Sequence, residues 1–313
     1  MATSLFGEAA RALEAEGVRT RALGREIDAS TAARVLWADA GEPWTIKDVL
    51  GHVAASHAGL LRALRGDAAP MPGRTLAEIN EERRRERRDW PLDRVLEEIE
   101  VGRRAAVELL AALGDADWER VCRTSSGREW QMGRLAWIIS THEREHRARI
   151  EAALGRPTAA GGRVQWLNVS AGGVPKRPIF SARLDVEGLQ GDAHRGSAHG
   201  GPERALCLFS QEVIDLLRGE GHPIEPGTIG ENVTVSGLDW ARVKPGDRLR
   251  IGPTLVEITR FTTPCLNIKD AFADGEFARV LATRHPGESR AYARVIETGE
   301  LTVGDPVELM VDG

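Results

Sequence analysis

The feature that most constrains this chain is a change of period partway along it. From the start to about Leu154, apolar residues recur at three- and four-residue steps over Leu13 to Leu23, Ile46 to Leu64, Leu92 to Leu113 and Leu135 to Leu154. That spacing gives a helix one apolar face, so four long helices are predicted, and they can bury those faces only against one another as a bundle. Around Thr158-Ala159-Ala160-Gly161-Gly162 the residues turn small, and beyond them glycine is frequent and the helical period fades. Val164 to Val169, Ala205 to Phe209, Asn232 to Val235, Arg248 to Ile251 and Leu255 to Thr259 follow, most of them separated by glycine or proline. They predict the strands of a compact barrel or sandwich. Gln211 to Leu217 reads as a helical insertion, and Tyr292 to Ile296 with Pro306 to Met310 as a closing strand pair. The predicted organisation is multidomain α and β: a four-helix bundle over 1–156, a linker over 157–163 and a β domain over 164–313.

Local signals agree with this division. Thr45-Ile46-Lys47-Asp48 fits a capping box at the second helix, Pro91 suits the first turn of the next, and Gly155 with Pro157 ends the last. The mixed-sign run Glu81 to Arg88 predicts a solvated helix face. A net charge of −5 argues against a polyanion binder, so a small-molecule substrate is expected and nucleic acid is not. The first residues lack the basic end and unbroken apolar run of a signal peptide, and no later stretch is apolar for ~18 residues, so no membrane partner and a cytoplasmic location are expected. Cys122, Cys207 and Cys265 have no CxxC spacing, which argues against a disulfide framework and leaves each thiol to its own account.

His142 and His146 stand four apart on the last helix, the spacing that lets two imidazoles share a metal. Both fall on the inward stripe of Leu135, Ile139, Ile150 and Ala153, whereas Glu143, Arg144 and Arg147 are expected to point away. Histidines hydrogen-bonded within a charged helix end are an equal alternative on spacing alone. The second helix offers His52 and His57; periodicity puts His57 nearer the centre of the apolar stripe and His52 at its edge, and composition does not choose between them. Trp44 to Val53 and Thr141 to Arg147, with the sequences WTIKDVLGHV and THEREHR, resemble the two signature segments of the DinB-like four-helix bundles, a resemblance covering about residues 1–155. It implies a divalent metal, zinc or nickel, on His52, His142 and His146, and leaves His57 to packing or to a supporting position. Some relatives of this kind transfer low-molecular-weight thiols such as mycothiol or bacillithiol.

In the second half, Gly188 to Arg204 is a glycine-rich polar loop in which His194, Arg195, His199 and Arg204 offer donors to anionic oxygens. Gly227 to Val235 and Thr262 to Leu266 are two more segments at strand ends, so that loops from three strands can converge. Pro264 favours presentation of the Cys265 thiol on a loop, Cys207 reads as a small core residue, and Cys122 lacks context. For Cys265 taken alone, a structural role is slightly favoured over a reactive one.

In this order the segments resemble the MOSC domain, through Gly173-Val174-Pro175-Lys176, Gly191-Asp192, His199-Gly200-Gly201, Arg204, Gly230-Glu231-Asn232, Pro245-Gly246-Asp247, Gly252, Pro264-Cys265 and Gly304-Asp305-Pro306-Val307. The resemblance spans about 163–313, is nearest the stand-alone YiiM type and implies a β-barrel. It implies a molybdenum cofactor (molybdopterin) in a basic pocket, with Cys265 as metal ligand or sulfur carrier. His199, Arg204 and Asn232 would then hold the anionic cofactor or substrate, Lys176 would meet a phosphate, and His194 and Glu231 would tune the pocket or transfer protons. It implies reduction of N-hydroxylated compounds or passage of sulfur. No flavin, haem or iron–sulfur signature is present, so an external electron or sulfur donor protein is expected, and a homodimer is compatible with this reading. The alternatives are thiol transfer at the histidine site, and a non-enzymatic carrier or adaptor that binds a metal and an anion.

Overall fold

Apolar spacing and end signals place the helices of the first half close to where periodicity predicts them. The computed structural model describes residues 5–37, 43–156, 162–193 and 200–310, and the chain divides into two units, Met1–Thr158 and Ala159–Gly313. In the first unit the main helices are α1 (Leu5–Glu26), α2 (Ile46–Arg65), α3 (Leu76–Arg87), α4 (Leu92–Ala112) and α5 (Met132–Ala153). α1 and α2 each pack against both α4 and α5, and this is the four-helix bundle. Phe6, Leu13, Ile46, Ile99, Leu135 and Ile150 are fully buried in it, each stabilising the fold by roughly 1.5–3 kcal/mol. Thr45 caps α2 as the sequence signals: its hydroxyl accepts from Asp48 N at 3.1 Å and the Asp48 carboxylate accepts from Thr45 N at 2.9 Å. Pro91 stands at the N-cap of α4, one place before the expected first turn.

The mixed-sign run forms α3, a fifth helix that packs on α2 and that the four-helix expectation leaves out. Its solvated face is real for Glu82, Arg85 and Glu86, but Arg84 is buried, held by Glu81 and 5.5 Å from the Trp44 ring centre. Glu143 is a correction: it does not point away from the bundle but is 1% exposed and accepts both forks of Arg103, at 3.0 and 2.6 Å. Because α5 meets both α1 and α2, its buried arc is wider than one apolar stripe, and Arg103 of α4 supplies the charge that lets a carboxylate lie inside.

The second unit contains β1 (Gly162–Val169), β2 (Arg177–Ile179), β3 (Ser181–Asp185), β4 (Gly188–Leu189), β5 (Leu206–Ser210), α6 (Gln211–Gly219), β6 (Val233–Ser236), β7 (Arg248–Ile251), β8 (Thr254–Phe261), β9 (Ala291–Glu297), β10 (Gly299–Thr302) and β11 (Pro306–Met310). Seven strands run β6-β5-β9-β8-β7-β11-β1, and β1 pairs back to β6, which closes a barrel and leaves no open edge within it. The pair β5–β6 is parallel, so it needs a crossover, and α6 provides it. β3, β4 and β10 form a separate small sheet. The expected closing pair is corrected: β9 lies between β5 and β8, and β11 between β7 and β1. Closure requires two neighbours for every strand, and β10, between them in sequence, leaves the barrel to pair with β3. Among the described residues no helix is long and apolar enough to cross a membrane.

Candidate functional site

In the bundle, α2 brings His52 against His142 and His146 of α5. His142 Nε2 lies 3.1 Å from His52 Nε2 and 3.1 Å from His146 Nε2, and the three donor atoms lie within 4.8 Å of one another. Burial pushes all three down: His52 to about 4, with the charges of Arg83 and Arg149 adding to it, His146 to about 3, with His52 and Arg149 adding, and His142 well below its ordinary value, with the neighbouring histidines and Arg149 adding. The rings are therefore neutral at pH 7, the state in which imidazole donates a lone pair to a metal. Their Nδ1 atoms make no hydrogen bond among the described residues. Three converging neutral nitrogens fit a divalent ion that keeps a coordination position open. His57 is not in this group: fully buried, it meets Glu143 through Nε2–Oε2 at 3.4 Å and so belongs to the chain His57–Glu143–Arg103–Glu100. A cavity of about 290 Å³ opens beside the triad between α2, α3, α5 and the turn at Thr124 to Arg128, with His52 and His142 in its wall.

In the barrel unit a cavity of about 320 Å³ is lined by Lys176, Arg204, Asn232 and Cys265, which come from four separate segments, together with Cys207, Arg290 and Tyr292. Cys265 is half-buried at the start of the turn Leu266–Ala271. Two of the predicted residues have their polar atoms committed to the protein itself. Lys176 is buried and ion-paired with Asp192. Asn232 accepts from Cys207 N at 3.1 Å and donates to Asn168 O at 3.2 Å and to Asp192 at 2.9 Å, so it ties β5, β1 and the Asp192 loop together. Glu231 does not line the cavity: it is fully buried, accepts from Gly227 N and Thr234 Oγ1, and burial pushes its pKa up. His194 and His199 lie outside the described residues.

Sequence reasoning missed Cys207, Arg290 and Tyr292. Burial pushes the Cys207 thiol up to about 11, so it is a neutral donor in the wall at pH 7. Tyr292, the only tyrosine of the chain, stands directly across from Cys207 in the β9–β5 register. Arg290 is buried and donates to Ile229 O, holding the turn that contains Gly230, where φ is +90° and a side chain would meet Val174 at 2.9 Å. None of these had a linear signal, because strand pairing alone sets Tyr292 opposite Cys207. A half-buried thiol beside Arg204 and Arg290 is a donor set that fits an anionic cofactor carrying a soft metal.

Residues 195–308 match the MOSC domain and residues 12–150 the DinB superfamily. Among curated proteins, YflK of Bacillus subtilis is 32% identical over 45% of this chain and 64% of its own length. A protein named reductase from Gibberella moniliformis is 30% identical over 42% of this chain and 24% of its own, and YiiM of Escherichia coli is 29% identical over 43% and 65%. The chain thus spans less than two thirds of each of these relatives. The solved structure of YfiT from Bacillus subtilis matches 49% of this chain and 89% of its own at 15% identity, with a TM-score of 0.39. The chain thus joins a region that matches the DinB superfamily, residues 12–150, to a region that matches the MOSC domain, residues 195–308, with similarity to YiiM.

Proposed function

We propose that the barrel cavity binds the molybdenum cofactor and that the protein reduces N-hydroxylated compounds or carries sulfur at Cys265. The observation that carries this reading is the meeting of Cys265, Lys176, Arg204 and Asn232 around one cavity. The bound cofactor would supply two-electron redox chemistry or a transferable sulfur at its metal. Cys265 offers the sulfur ligand, and Arg204 and Arg290 offer charge to anionic groups. Asn232 and the Lys176–Asp192 pair hold the strand ends in register, so that the thiol and the arginines face the same space. Cys207 and Tyr292, both protonated at neutral pH, are hydrogen-bond donors in the wall. The name of the Gibberella relative is consistent with reduction. An outside electron or sulfur donor, a cytoplasmic location and a small-molecule substrate belong to the same proposal.

The test is metal and pterin content after expression in a host that makes the cofactor. Near-stoichiometric molybdenum and pterin in the parent, with molybdenum lost in Cys265→Ala, is the expected result. Zinc or nickel alone, unchanged by the substitution, sinks the reading.

A second reading, favoured by the convergence of His52, His142 and His146, is divalent-metal-dependent thiol transfer in the bundle. It predicts zinc or nickel that is lost in His146→Ala and a thiol-transfer activity that survives Cys265→Ala.

A further inference from the structure

Four polar side chains in the wall of the bundle cavity, Ser56, Asn80, Arg83 and Ser125, make no hydrogen bond or ion pair among the described residues. Ser56 and Ser125 are 9% and 8% exposed, and a hydroxyl buried to that degree normally has a partner. Arg83 differs from its neighbours on α3, where Arg84 is paired with Glu81 and Arg87 with Glu98. Burial, Arg62 and Arg87 push the Arg83 pKa down against the pull of Glu86 and Glu82, so the protein itself leaves this charge under-compensated. A second guanidinium, that of Arg128, lines the same wall on the turn that contains Ser125 and stands 3.9 Å from the Trp130 ring centre. Burial lowers its pKa as well. Among the described residues no aspartate or glutamate lines this cavity. The chain also makes room for Arg83. Gly59 lies in the middle of α2, where glycine weakens a helix, and a Cβ there would stand 3.1 Å from Arg83 Nη1 and 3.2 Å from Nη2. Leu60, Ile79 and Ile138 complete an apolar wall. One space thus offers two guanidinium groups without a carboxylate, three further unpartnered polar side chains and an apolar surface.

We propose that the bundle cavity takes a phosphate monoester with an apolar body, its phosphate on Arg83 with Arg128 as the second charge, and its body along Leu60, Ile79 and Ile138. A phosphate monoester brings close to two negative charges at neutral pH and three terminal oxygens, enough acceptors for a guanidinium fork, an amide and two hydroxyls. A carboxylate brings one charge on two oxygens and leaves part of the wall unmatched. The proposal stands without a metal on His52, His142 and His146, because the groups that recognise the phosphate lie on α2, α3 and the turn.

The full chain, with whatever metal it carries when purified, is titrated calorimetrically with phenyl phosphate, benzoate and phenol, which share one ring and differ in charge. The expected result is at least about tenfold tighter binding of phenyl phosphate than of either of the others, roughly 1.4 kcal/mol. Arg83→Gln should remove that advantage while leaving metal content and the affinity for phenol unchanged, and Arg83→Lys should retain part of it. Phenyl phosphate that binds no tighter than phenol, or as tightly to Arg83→Gln as to the parent, overturns the proposal. Benzoate binding as tightly as phenyl phosphate overturns the choice of a dianion. Phosphate binding that is lost on chelation of the metal but survives Arg83→Gln puts the anion on the histidines and overturns the subsite as well. Should Arg83→Gln not fold, Ser125→Ala carries the test: it should weaken phenyl phosphate several-fold and leave phenol unchanged, and an undiminished phosphate affinity in both Ser125→Ala and Arg83→Lys counts against the site.

Discussion

At the scale of single residues, burial separates the three cysteines. Cys122 and Cys207 are each 4% exposed and burial raises both thiols, whereas Cys265 is half-buried in a cavity wall. Iodoacetamide at pH 7.5 should therefore label one thiol per native chain, and none in Cys265→Ala; two or more labelled sites in the folded parent would contradict this. Arg103 carries a different burden. It binds Glu143 with two bonds and Glu100 with a third, and Glu143 also meets His57. Arg103→Met would leave Glu143 buried and uncompensated, a loss of about 3–5 kcal/mol measurable by urea unfolding. Sequence reasoning placed Glu143 outside the bundle because its partner is 40 residues away on another helix. No periodicity records that pairing.

At the scale of elements, the signals that are local were legible. The Thr45–Asp48 capping box is present as the motif predicts, and Thr45→Ala should lower bundle stability by about 1 kcal/mol in thermal or urea unfolding. The pairing of α2 with α5 has a pH dependence set by the triad. In the metal-free protein the folded pKa values of His52 and His146 lie below 6.5, at about 4 and about 3. The unfolded chain therefore takes up protons first as pH falls. The stability is full above about 6.5 and is lost progressively toward those lower values, on the order of 3 kcal/mol for His52. Unfolding of the metal-free protein followed between pH 7 and 4 should show this loss, and His146→Ala should reduce it. The seven barrel strands were legible to within two residues because alternation and turn residues are also local: β7 and β11 fall on Arg248–Ile251 and Pro306–Met310 as read, whereas the short β2, β3, β4 and β10 were not read. The neighbours of the barrel strands were not legible, since pairing depends on closure of the whole barrel.

At the scale of the molecule, two separate cores predict two calorimetric transitions. Zinc at about a hundred times its Kd should raise only the bundle's transition, by about 2.7 kcal/mol, and His146→Ala should abolish that response. A single transition shifted as a whole by zinc would refute independent cores. By itself the sequence determined the order of the two folds, the extent of most helices and strands, and the set of candidate ligands, because periodicity, caps and motif residues act over a few positions. The signature segments pointed to His52 as the third histidine, and the tertiary structure brought it to His142 and His146; tertiary structure alone decided that α3 adds a fifth helix with Arg83 on the cavity, and that Cys207, Arg290 and Tyr292 share a cavity with Cys265. These facts depend on contacts between segments tens of residues apart, fixed by helix packing in one unit and by barrel closure in the other. Linear spacing carries no trace of them.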